Sequence, residues 1–417
     1  MTTKRVVITG FGAVTPVGND VRSMWASMMA MQSGAAEIKA FDASLFKTRF
    51  ACEVKDFDIS CWLDRKEARK LDRFTHFAVA SAEEAFHDSG LEPNKEPRQR
   101  MGVIWGSGMG GLIDFETGFG EFITSNGTPH FNPFYIPKAI INIASGYLSL
   151  RYGLQGPCYG VASACASSGH AIAAAVDCIR LGRADVMLAG GSDADITYSG
   201  VGGFNALHAL STQNDHPASA SRPFSRSRNG FVLGEGGACL VLEEYEHAVR
   251  RGATIYAELA GVGINADAYH MTAPEPTGQG AMEVMRLAIE DAGVTPADID
   301  YINAHGTSTR LGDLAEIKAI QQLWGDDVYR LNISSTKSMM GHTLGAAAAI
   351  EAVTTIMALR EGIVPPTINH AEDDADEEID SRLNLTFNAP QKRDIRCAIS
   401  NSFGFGGQNV CLLFKQI

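Results

Sequence analysis

The amino-acid sequence predicts an α/β fold built as two similar halves, and three observations carry that expectation. Short β-branched runs alternate with alanine-rich stretches of helical length, no solenoid period organises them, and two segments of the first half return in the second. The runs are apolar on both faces, which is the mark of strands buried within a layered sheet.

Taken in order, "RVVITGFG" opens the chain as a strand, and "RMGVIWGSGMGG" repeats the pattern with a glycine-rich exit. "ADVMLAGGSDA" and "GACLVLEEYEHAVRRG" continue the alternation of strand and helical stretches. The first echo pairs "VVITGFGAVT" (Val6 to Thr15) with "AELAGVGINA" (Ala257 to Ala266). The second pairs "SSGHAIAAAVDCIRLGRADV" (Ser167 to Val186) with "LGAAAAIEAVTTIMALREGIV" (Leu344 to Val364); each is a Gly/Ala-rich helix ending in Arg and Gly before a strand. The halves are expected at 1–252 and 253–417, meeting near Arg251–Ala253. Ordinary strand-turn-helix grammar is the competing reading of these echoes.

At 417 residues the chain is long enough to bury a large core. A formal net charge of -13 argues against nucleic acid or an anionic membrane as the main partner. The start "MTTKRVVITGFG" runs directly into a strand pattern with no apolar leader, and no later run is long enough to span a bilayer. A cytoplasmic location is expected. Eight cysteines lie scattered, without Cys-x-x-Cys pairs or zinc-like spacing, so reduced thiols and no metal site are expected.

Four segments carry candidate chemistry. In "GVASACASSGH", Cys165 stands where a strand gives way to a helix, and a thiol facing a helix N-terminus is expected to have a lowered pKa and nucleophilic character. Its small neighbours leave room for an acyl group; a plain core cysteine is the competing reading. In "YINAHGTSTRLGDLAE", a strand ending at Ala304 delivers His305 into a polar loop before a helix starting near Asp313, the alternative being a histidine bonded to its own turn. "SSTKSMMGHTLGAAAA" places Lys337 and His342 ahead of a helix of small residues. A thiolate that attacks a thioester, with two neutral imidazoles donating to the developing oxyanion, makes an acyl-transfer site. In "SNSFGFGGQN", glycines surround Phe403 and Phe405, which suits either a gate carrying a bulky ring or a rigid turn.

Together these segments resemble the β-ketoacyl-ACP synthases, the decarboxylating condensing enzymes of fatty acid synthesis, and the resemblance runs from "VVITGFGAVTPVG" to "NSFGFGGQNVCLLFKQI". It implies a thiolase-like fold, two βαβαβ-based halves in an αβαβα sandwich, normally dimeric. Carried over by position, it implies that Cys165 is the acyl-accepting nucleophile and that His305 and His342 assist decarboxylation of malonyl-ACP. Lys337 organises the site with Glu316 as its expected partner, beside Asp313 and Phe403 as supporting groups. Thr307 and Thr309 bind the pantetheine arm, and Phe405 gates the site. The backbone N–H groups of Phe405 and Cys165 form the oxyanion hole. Met109, in "WGSGMGGLIDF", lines the acyl pocket. No cofactor is implied beyond the phosphopantetheine arm of acyl carrier protein. His342 stands where the related initiating enzymes carry asparagine, so an elongating member is expected.

Two departures from the family pattern flank the site: Arg310 replaces the usual proline after "HGTST", and Gln408 replaces the usual threonine of "GFGGTN". The cluster in "DRKEARKLDR", chiefly Lys66, Arg69 and Lys70 with Arg65 and Arg73, is expected to dock the acidic carrier. "SNGTPHFNPF" and "STQNDHP" lack basic residues often seen in housekeeping members. These changes keep open a second reading, the catalytic ketosynthase of a dedicated polyketide or polyene system paired with a non-catalytic chain length factor. A homodimer is expected on the first reading and a heterodimer on the second. Intact Cys165, His305 and His342 count against a non-catalytic subunit. A CoA-dependent thiolase would need a second catalytic cysteine that "NSFGFGGQN" does not supply.

Overall fold

The computed structural model describes residues 4–417, so Met1 to Thr3 of the basic start lie outside the described residues. The sheet strands are β1 (Val6–Val14), β2 (Met101–Gly106), β3 (Cys158–Val161), β4 (Val186–Asp193), β5 (Gly236–Glu244), β6 (Ala257–Ala266), β7 (Tyr301–Asn303), β8 (Asn332–Ser334), β9 (Cys397–Gly404) and β10 (Gln408–Lys415). Among the described residues they form one sheet of ten strands in the order β8-β7-β9-β10-β6-β1-β5-β4-β2-β3. Read outward from the centre, β1-β5-β4-β2-β3 and β6-β10-β9-β7-β8 carry the same directions: two antiparallel pairings, then two parallel ones. The halves join where Val7 and Ile8 of β1 pair with Glu258 and Ala257 of β6.

The principal helices are α1 (Arg73–Ser89), α2 (Leu112–Thr124), α3 (Ile143–Tyr152), α4 (Ser167–Arg180), α5 (Gln279–Asp291), α6 (Arg310–Trp324) and α7 (Ala347–Glu361). Helices α4 and α7 lie between the two half-sheets, α1 and α3 cover one outer face, and α5 and α6 cover the other. The result is the expected αβαβα layering. Small residues make the middle layer possible: every residue of α7 from Ala347 to Leu359 is buried, so this helix has no solvent face on which to place polar residues.

The first sequence echo has a steric cause. A Cβ at Gly10 or Gly12 of β1 would lie 2.3 Å from Ala85 O or 2.2 Å from Ser81 O of α1. At Gly261 and Gly263 of β6 it would lie 2.1 Å from Ala288 O and 2.0 Å from Val284 O of α5. Alternate glycines thus let each outer helix rest directly on the central strand of its half. The second echo begins with a matched kink: Ala164 and Leu344 both have φ of 51°, and each opens a short 3₁₀ turn that runs into the inner helix. The echoes then diverge. Helix α4 leads to β4, whereas α7 leads to Ile363–Val364, which pairs with Gln391–Lys392 outside the main sheet.

Candidate active site

Cys165 occupies the 3₁₀ turn Ala164–Ala166, between the end of β3 and the start of α4. The left-handed backbone at Ala164 is a conformation that side chains disfavour, and here it turns the thiol into a cavity at the junction of the halves. His305 follows β7 by two residues. His342 follows a short helix, Lys337–Met340, through Gly341, whose φ is 69° and whose Cβ would meet Val232 O at 2.8 Å. The His342 N–H donates to Val232 O at 2.7 Å, which fixes the backbone of this turn.

The three groups converge. His342 Nε2 lies 3.0 Å from Cys165 Sγ, and the His305 and His342 rings stand 5.3 Å apart, nearly perpendicular at 88°. All three are buried. Among the described residues neither imidazole Nδ1 has a hydrogen-bond partner. An orphaned N–H costs more than an orphaned ring nitrogen lone pair, so the favoured tautomer carries its proton on Nε2, aimed into the cavity. Burial, with the Lys337 charge next, holds both imidazoles well below the ordinary histidine range. They are neutral donors.

The cysteine departs from expectation. Burial pushes the Cys165 thiol up to about 11, so desolvation outweighs the helix terminus expected to lower it. The Lys337 charge and the N–H groups of Phe405 and Cys165 oppose that rise. Their influence on the thiol puts both N–H groups in its neighbourhood, where the hydrogen bond the structure records to the sulfur is that of His342 Nε2.

Lys337 is also corrected. Its buried ammonium pairs with Glu351 of α7, not with Glu316. Glu316 instead accepts the N–H groups of His305 and Gly306, each at 2.9 Å, and the Asn401 amide at 3.1 Å, so it holds the His305 loop by its backbone. Helix α6 begins at Arg310, a turn earlier than expected, and this places Asp313 inside its first turn. There Asp313 is buried, accepts the Phe224 N–H at 2.9 Å and lies 3.4 Å from the Arg228 guanidinium, itself fully enclosed. Glu351, Asn401 and Arg228 were missed from the sequence. Glu351 did leave a signal, as the single charge within "AAAAIEAVTTIMAL".

The cavity holds about 510 Å³ and contains Cys165, His305, His342, Thr307, Thr309, Phe403, Phe405 and Met109 in its lining. The Thr307 and Thr309 hydroxyls are 2.9 Å apart on one wall. Phe403 packs 5.5 Å from the His305 ring. Phe405 sits in the turn between β9 and β10, before Gly406 and Gly407 with φ of 84° and 70°. Both departures lie at the edges: Arg310 lines the rim and reaches Glu378 at 3.5 Å, and Gln408 is exposed.

The basic cluster lies away from the cavity, on the four-residue helix Arg65–Ala68 and the turn after it. Lys66 and Arg69 are exposed, and the Lys70 ammonium sits 5.6 Å above the Phe134 ring. Arg73 is not part of this surface, because its guanidinium turns inward to Glu235 at 2.7 and 3.0 Å. Among the described residues no group of three or more His, Cys, Asp or Glu side chains is placed to hold a metal ion, and no helix is long and apolar enough to cross a membrane.

With this geometry in place, comparison decides the family. The N-terminal domain of beta-ketoacyl synthases matches residues 3–248, and their C-terminal domain matches residues 256–371. The chain belongs to the β-ketoacyl synthase family. A relative in Coxiella burnetii, 3-oxoacyl-[acyl-carrier-protein] synthase 2, is 48% identical over 417 residues, with 100% of both chains covered. Among solved structures, the ishigamide ketosynthase/chain length factor is similar at a TM-score of 0.92 and 33% identity, with 100% of both chains covered. A type II polyketide ketosynthase solved with its acyl-carrier protein reaches 0.89 at 32% identity, again with 100% of both chains covered.

Proposed function

We propose that this β-ketoacyl synthase elongates acyl chains by decarboxylative Claisen condensation on acyl carrier protein. The observation that carries the reading is the contact of His342 Nε2 with Cys165 Sγ, with a second neutral imidazole beside it in one cavity. Cys165 takes the acyl group: its sulfur attacks the carrier thioester and gives up its proton, the C–S bond to the pantetheine arm breaks, and the arm's sulfur takes up that proton and leaves as a thiol. The N–H groups of Cys165 and Phe405 hold the tetrahedral oxyanion.

Malonyl-ACP then enters past Thr307 and Thr309. Loss of CO₂ leaves the electron pair of the broken C–C bond as an enolate, whose oxygen accepts from Nε2–H of His305 and His342. Imidazoles that are already neutral do not protonate this carbanion before it attacks the acyl carbonyl on Cys165. The new C–C bond forms and the sulfur leaves as thiolate. Lys337, anchored by Glu351, supplies a fixed positive charge that favours each anionic state. On this reading the reaction's one prosthetic group is the phosphopantetheine arm that the carrier brings.

The carrier docks on Lys66, Arg69 and Lys70. The partner subunit is a second copy of the chain: β3 is an edge strand with Cys158 and Tyr159 exposed, and Phe115, Phe119, Phe131 and Ile136 expose apolar surface in the α2 region. Elongation takes place in the cytoplasm. Intact-mass measurement after incubation with an acyl-ACP tests the reading. The expected adduct is one acyl group on Cys165, abolished in Cys165→Ala; acylation of another cysteine while Cys165 stays free would refute it.

A further inference from the structure

One fully buried carboxylate outside the reacting groups collects donors from both halves of the molecule. Asp193 closes β4. Its Oδ1 accepts the Ser107 hydroxyl at 2.5 Å and the Gly108 N–H at 3.0 Å, and its Oδ2 accepts the Gly108 N–H at 2.9 Å and the Gly345 N–H at 2.6 Å. Ser107 Oγ in turn accepts the Gly110 N–H at 2.9 Å. The turn that carries Met109 is therefore strapped on both sides of its tip to Asp193.

The other end of the strap is the turn beyond His342. Gly345 lies three residues after that histidine, and a Cβ there would fall 2.4 Å from Gly108 N, so the two segments are in direct contact. Leu344, held at a φ of 51°, and Met109 line the same cavity as Cys165. A buried acceptor shared by three donors from two segments has two arrangements, bonded or broken, and little between them.

We propose that Asp193 is a positioning residue that sets the acyl length the enzyme accepts, by pinning the Met109 turn to the turn beyond His342. The proposal rests on the ketosynthase reading. Met109 stands beside an apolar cavity, and the hydrophobic effect favours its inward collapse whenever that cavity is empty. The carboxylate holds the turn back. Without it, a long acyl chain must first displace the collapsed turn, while a short one does not reach it. Asparagine cannot substitute, because its amide presents N–H groups to at least one backbone N–H that needs an acceptor.

The test compares the rate of Cys165 acylation by hexanoyl-ACP and hexadecanoyl-ACP in the wild type, Asp193→Asn and Ser107→Ala. The expected hexadecanoyl-to-hexanoyl ratio falls about tenfold in Asp193→Asn, or about 1.4 kcal/mol of transition-state energy, with hexanoyl transfer still measurable. In Ser107→Ala, which removes one strap and keeps the carboxylate, it falls by a smaller factor, about threefold. A merely structural role would lower both rates together and leave the ratio unchanged, and an unchanged ratio in Ser107→Ala overturns the proposal even if Asp193→Asn does not fold. Failure of the wild type to form any acyl-enzyme would instead strike the ketosynthase reading and take this inference with it.

Discussion

Cys165 sits where burial opposes its own ionisation, with the Lys337 charge acting against that effect. Alkylation of Cys165 by a small neutral reagent should rise about tenfold per pH unit from neutrality toward 10, because reactivity follows the thiolate fraction of a group pushed up to about 11. A plateau below pH 8, read by mass spectrometry, would show a resting thiolate instead. The two imidazoles should separate by step. His305→Ala should cut malonyl-ACP decarboxylation about a hundredfold or more while leaving acylation near the wild-type rate. His342→Ala should slow both, since its Nε2 touches the sulfur. Equal loss of both steps in a folded His305→Ala variant would contradict this division. Cys165, His305 and His342 were legible in the sequence because each stands at a strand or helix boundary beside small residues. The partner of Lys337 was not legible. Glu316 and Glu351 both lie on other helices, too far along the chain for local spacing to choose between them, and only the packing of α7 in the middle layer brings Glu351 to the ammonium. Asp193 was hidden for a similar reason: apart from the Ser107 hydroxyl its donors are backbone N–H groups, which carry no residue signature.

At the scale of elements, the echo of "VVITGFG" in "AELAGVG" marks a packing requirement that both halves share. Gly12 and Gly263 face helix backbone at contact distance, so an added methyl group forces helix and strand apart. Gly12→Ala and Gly263→Ala should each cost about 1–3 kcal/mol. Gly146, within α3 with open space at its Cβ, is the control: Gly146→Ala should be neutral or stabilise by up to about 1 kcal/mol. Comparable losses at all three positions, measured as melting temperatures, would show a general intolerance of substitution and not this contact. Element boundaries were harder to read than element types. "DRKEARKLDR" looks like one charged helix face, yet Asp64 caps a four-residue helix and Asp72 caps α1 with two separate sets of bonds. The chain therefore breaks between Lys70 and Arg73, and Arg73 points inward. The helix after "HGTST" starts early because Asp313, which looks like its beginning, is held inside by Phe224 N–H and Arg228.

Over the whole molecule, acidic residues exceed basic ones enough to give a formal net charge of -13, and an acidic carrier meets a repulsive average field. Productive encounter then depends on a local exception. Lys66, Arg69 and Lys70 form such an exception on a short helix and its exit turn, the first two exposed and Lys70 half-buried over Phe134, with Arg73 withdrawn to neutralise Glu235. Because exposed charges act through solvent, their contribution should appear in association and weaken as salt screens it over about 10 Å or less. Replacing all three by glutamate should raise the KM for acyl-ACP about tenfold at low ionic strength, with kcat nearly unchanged. The wild type and the variant should converge as salt is added. The same acyl group on a pantetheine thioester, which has the arm without the protein, should be used equally well by both. Loss of activity toward the pantetheine thioester as well would place the three cations in the architecture of the site, and a KM indifferent to charge reversal would move the docking surface elsewhere.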